Sequence, residues 1–135
     1  MIYRPIAQSI ALLGATIVAG LVVRFGRIGL SVVVVKYGGS MLWALAIYWL
    51  ISSLFPVKCC LTSVVLAGTL ATAVEFAKLI HQPALNSFRH TLAGVLLLGR
   101  IYSPWDLLAY WLAIALGAGL ELWVRWSLHS MAARG

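Results

Sequence analysis

The chain has 135 residues, 63% hydrophobic and only 10% charged, with a formal net charge of +7 and a mean hydropathy of +1.01. Soluble domains carry roughly 25% charged residues, and a chain this apolar would show water large aggregation-prone patches. The composition therefore excludes an ordinary soluble domain and reads as an all-α integral membrane protein, a single transmembrane domain over residues 1–135. The ten Lys and Arg face only three acids, but they stand at segment ends instead of forming a stripe. That placement fits head-group contact and topology, and no nucleic acid is expected as a partner.

A spanning helix needs about 20 predominantly apolar residues. Residues 6–23 supply the first, read as a retained helix because no small-x-small cleavage site precedes Arg24 and Arg27. Residues 28–35 are apolar but too short to cross. Their valine run favours an extended form, so a re-entrant or interfacial stretch is expected there, ended by Lys36, Tyr37, Gly38 and Gly39. The second helix is predicted over about 40–55, stopped by Pro56, and the third over about 59–80, with Glu75 and Lys78 in its last turns and Pro83 beyond it. Cys59 and Cys60 open the third helix; adjacent cysteines strain a mutual disulfide, so they read as small apolar residues at a helix end.

Residues 85–99 begin polar, with Asn86, Ser87, Arg89 and His90, and end in leucines. They form a second short segment, expected as a re-entrant half-helix or an amphipathic surface element. The fourth helix is predicted over about 104–126. Ser103 stands at its N-cap, Pro104 at its first position and Asp106 at the third, the capping-box pattern. A polar, basic tail is expected after it. Four crossings place both termini on one side. Arg4, Lys58, Arg125 and Arg134 stand there, against Arg24, Arg27, Lys36, Arg89 and Arg100 opposite, so the positive-inside rule does not separate the two orientations. Cytoplasmic termini are the expectation.

The chemistry is confined to few residues. Ionisable groups within a membrane are costly and face protein or water. Glu75 lies on a stripe of small residues, Gly68, Ala71 and Thr72, of the kind that lets helices approach closely. It points into the bundle, and Lys78 shares its face. Two readings stay open: a ligand-binding carboxylate, or a structural partner for Lys78, Arg89 or Arg100. Asp106 reads as a helix-capping acid, and Glu121 as an ordinary surface pair with Arg125 at i+4. Ala109, Ala113 and Gly117 form a second small-residue stripe. His81 and His90 flank the same end but lack the spacing of a metal set. No catalytic residue, metal or cofactor is expected, and enzymatic activity is not indicated.

The segment from Glu75 through Arg89, Leu96-Leu97-Leu98-Gly99-Arg100 and Asp106-Leu107-Leu108-Ala109-Tyr110 to Gly117 resembles the VanZ-like group of small bacterial membrane proteins. It is still more similar to a related, uncharacterised four-helix family, as is the earlier run Val35-Lys36-Tyr37-Gly38-Gly39 with Trp43, Ala44 and Tyr48. The resemblance covers roughly residues 20–120. Lys78 departs from it, where the pattern has Gln, and Ser40, where it has Asp. It implies a bacterial inner-membrane protein with a role in the cell envelope and no established reaction. The expected function is binding of a lipid or lipid-linked anionic group through a polar cluster of Glu75, Lys78, Arg89, Arg100, Asp106 and Lys36 at one membrane face. The alternative is a non-catalytic accessory subunit, packing on other membrane subunits through its small-residue faces.

Overall fold

The computed structural model describes residues 6–55 and 60–134. Arg4, Pro56, Lys58 and Cys59 lie outside the described residues. Six helices follow in order: α1 (Ile6–Phe25), α2 (Val32–Leu54), α3 (Cys60–Ala77), α4 (Pro83–Arg89), α5 (Leu92–Leu97) and α6 (Pro104–Ala132). No strand occurs among the described residues. α1, α2, α3 and α6 are each long and apolar enough to cross a bilayer, which makes the chain an all-α, multi-pass membrane protein.

Two boundaries differ from those expected. The valines at 32–35 are not a separate short segment; they are the first turn of a 23-residue α2. Ser31 is its N-cap, and its hydroxyl accepts from the Val34 N–H at 3.3 Å. Gly38 and Gly39 do not stop the helix, because a membrane leaves the backbone no better option than continuing its internal hydrogen bonds. The chain turns sharply before Ser31 instead, with positive φ at Arg27 (42°) and Gly29 (73°). At the other end, α6 runs on through the expected tail to Ala132, since no residue from 127 to 132 interrupts a helix.

α2, α3 and α6 pack against one another, whereas α1 packs on α2 alone among the described helices. Lipid tails are as apolar as leucine, so helices in a membrane associate through close packing and polar links. Small residues make the close packing possible. Ala44 of α2, Ala67 and Ala71 of α3, and Ala113 and Ala118 of α6 interleave with Tyr48, Tyr110 and Ile114. Both small-residue stripes are used inside the chain. A Cβ on Gly68 would meet the Trp111 ring at 2.2 Å, and one on Gly117 would meet Leu45 at 2.6 Å.

Candidate functional site

The end of the bundle holding the α1–α2 turn and the α3–α6 connection carries the polar cluster. α3 tightens as it ends, its last N–H groups bonding three residues back: Lys78 to Glu75, Leu79 to Phe76 and Ile80 to Ala77, at 3.0–3.2 Å. This turn brings the Lys78 ammonium over Glu75, to which it donates at 2.5 Å. Glu75 is fully buried, and both its oxygens are engaged. Oε2 also accepts from the Tyr110 hydroxyl at 2.8 Å, and Oε1 accepts from the Ser103 backbone N–H at 2.8 Å. Asp106, buried beside them, lies 3.9 Å from the Lys78 ammonium and 3.3 Å from the Ser40 hydroxyl of α2.

Ser103 is the N-cap of α6 with Pro104 next, but it makes no side-chain cap bond. In a capping box the N3 acid reaches back to the N-cap N–H. Here Glu75, from another helix, takes that N–H, which leaves Asp106 for Lys78 and Ser40. The local sequence pattern is that of a self-capped helix; the structure caps α6 across the bundle.

Arg89 does something else. It is buried, and its guanidinium donates to the carbonyls of Ile80 (2.9 Å) and Ala77, and to the Asn86 side chain (3.3 Å). Ala77 ends α3, its carbonyl also accepting from the Ile80 N–H, and Ile80 lies in the turn just beyond; helix C-termini offer acceptors of this kind. Arg89 therefore caps α3 from α4. Arg100 is exposed and reaches the Arg89 carbonyl with Nε at 3.4 Å. Among the described residues no ion pair joins either arginine to Glu75 or Asp106. Lys36 is exposed, with its ammonium 5.1 Å from the Tyr37 ring centroid. Of the six candidate residues, then, Glu75, Lys78 and Asp106 meet in a buried cluster. Lys36 and Arg100 stay outside on the surface, and Arg89 is a helix cap. His81 and His90 are exposed, and among the described residues no three His, Cys, Asp or Glu converge as a metal set.

The sequence reading missed Tyr110, Ser40 and the Ser103 N–H as cluster members. Tyr110 had a signal, standing one helical turn from Asp106 on the same face, and so did Ser40, which stands where the resembling pattern has Asp; the Ser103 N–H had none. The opposite end of the bundle holds a second buried group. Glu121, read as a surface acid, is 4% exposed. It pairs with Arg125 as expected, but it also accepts from the Tyr48 hydroxyl at 2.5 Å. That hydroxyl lies 3.3 Å from the Cys60 sulfur. Each end thus has a glutamate held by a cation on its own helix and by a tyrosine from a neighbour. One arrangement ties α3 to α6, the other α2 to α6.

A small four-helix membrane protein whose buried acids stitch three helices together is the class that this fold defines. Within it, the family described as Protein of unknown function (DUF2809) matches residues 30–117, and the chain belongs to that family. The match takes in α2 through the first half of α6, with the Glu75–Lys78–Asp106 cluster, and leaves out α1 and the Glu121–Arg125 pair. No curated protein matches the chain, and no solved structure does.

Proposed function

We propose that this is a small bacterial inner-membrane protein of the cell envelope that binds an anionic lipid headgroup, or a lipid-linked anion, at the loop end of its bundle. The observation that supports this is a separation of charge. At that end Arg24, Arg27, Lys36 and Arg100 are exposed, whereas Glu75 and Asp106 are both buried with Lys78. The surface offered to headgroups is cationic, and the acids that would offset it are withdrawn into protein. Arginine's planar fork suits phosphate oxygens. With both termini in the cytoplasm this end meets the outer leaflet, where lipid-linked envelope components are handled. The VanZ-like resemblance agrees with such a role. The accessory-subunit reading rested on small-residue faces, and Gly68, Ala71, Ala113 and Gly117 are already packed within the chain.

Each basic residue at such a surface contributes about 1 kcal/mol toward anionic lipid, roughly fivefold in affinity. Replacing Arg24, Arg27, Lys36 and Arg100 together by glutamine should then weaken retention of phosphatidylglycerol on the order of several hundredfold. Native mass spectrometry of protein released from mixed phosphatidylglycerol and phosphatidylethanolamine nanodiscs reads this directly. Equal retention by wild type and the fourfold variant, with both folded, would sink the proposal.

A further inference from the structure

In the connection from α3 to α6, the proposed headgroup binding uses Arg100 alone and leaves the apolar side chains of α4 and α5 unaccounted for. The depth of this connection follows from helix length. α3 has 18 residues, about 27 Å at 1.5 Å per residue, against a hydrocarbon layer of about 30 Å. Its C-terminus therefore comes out near the hydrocarbon edge. α6 starts at the same level, because the Ser103 N–H bonds Glu75 and Asp106 faces Lys78. The α4–α5 segment thus leaves and returns at one boundary.

At that depth it can project into water, fold back into the hydrocarbon, or lie flat. Projection would leave Leu92, Leu97 and Ile101 in water at 65%, 56% and 77% exposure, with Phe88 beside them. Folding back requires the backbone to be sheathed in protein, yet α4 and α5 bring their backbones close to each other and to no other described helix, with the Arg89 side chain reaching the end of α3. Lying flat satisfies both constraints. Exposed His90, Thr91 and Arg100 then have headgroups to meet, as in interfacial amphipathic elements. The Arg89 bonds to Ala77 and Ile80 hold α4 down against the end of α3.

We infer that the α4–α5 segment is an interfacial anchor that docks on the bilayer surface, with Phe88, Leu92, Leu97 and Ile101 in the acyl-chain boundary and His90 and Arg100 among the headgroups. Apolar burial drives this docking, so it does not depend on the headgroup charge invoked above and holds equally in zwitterionic lipid.

Nitroxide side chains, incorporated one at a time at positions 88, 92, 97, 101 and 90 with both cysteines left in place, test it in phosphatidylcholine nanodiscs. Relaxation by oxygen, which concentrates in the acyl region, should exceed relaxation by a water-soluble nickel chelate at 88, 92, 97 and 101. The order should reverse at 90. Nickel-dominated relaxation at all five positions would show a segment standing in water and overturn the inference. Protection from both reagents at the four apolar positions would show protein covering them, and would overturn it equally.

Discussion

Glu75→Ala is expected to lower unfolding stability in mild detergent by about 3–5 kcal/mol, the cost of removing one partner from a buried pair. The loss is compound. Lys78 is left with Asp106 at 3.9 Å as the only carboxylate near its buried ammonium, and with the Tyr110 hydroxyl at 3.4 Å. The Tyr110 hydroxyl loses an acceptor at 2.8 Å. The Ser103 N–H, at the start of α6, loses the bond that fixes α6 to α3. Glu75→Gln keeps an oxygen for Ser103 but removes the charge facing Lys78, so it should fall between alanine and wild type. Lys78→Met should destabilise by a different route, leaving two buried carboxylates without their shared cation. Thermal unfolding followed by circular dichroism ranks the three variants against wild type. An unchanged midpoint for Glu75→Ala would mean that this carboxylate is hydrated and ties nothing together.

Gly94→Ala is the second large effect, and it is local. A Cβ there would stand 1.9 Å from the Phe88 carbonyl oxygen, 2.6 Å from its carbon and 2.8 Å from the Arg89 Cα. All three are backbone atoms, so no rotamer change relieves the clash and α5 must separate from α4. Overpacking typically costs about 1–3 kcal/mol, and here it also disturbs the residue that caps α3. Because the α4 and α5 backbones approach only each other among the described helices, with Arg89 the link to the end of α3, the bundle should survive. Hydrogen exchange should accelerate across residues 83–100 and stay at the wild-type rate in α1 and α2. Wild-type exchange throughout would show that the two short helices do not pack as closely as described.

The spanning helices were legible because long, predominantly apolar runs such as residues 6–23 have few other uses. The start of α2 was not. Valines and paired glycines mean strand and turn in water, and the rule reverses in lipid, where an unpaired backbone costs more than a poor helix former does. The cluster was legible to the extent that it is local. Glu75 with Lys78 at i+3 and Glu121 with Arg125 at i+4 follow from helical spacing. Tyr48 on Glu121, and Ser103 on Glu75, are contacts across 73 and 28 residues, and no local pattern encodes them. Asp106 shows how a local pattern misleads. The capping box around Ser103 is complete in sequence, yet the acid that binds the N-cap N–H comes from α3. Arg89 reads as a cation, and no local pattern encodes its bonds to the carbonyls of Ala77, the last residue of α3, and of Ile80 just beyond it.

The two glutamate–tyrosine ties also bear on function. Together with the burial of Asp106 they keep the three acids of the chain in its interior, and the proposed function rests on exposed cations that no acid offsets. The most direct measurement of that claim is the preference of the wild-type protein for phosphatidylglycerol over phosphatidylethanolamine as salt is raised. Exposed cations are screened within about a Debye length, so the preference should fall steeply with ionic strength and approach parity at high salt. A preference that holds unchanged across the salt range, or none at low salt, would contradict anion binding by the exposed arginines and lysine of the loop end.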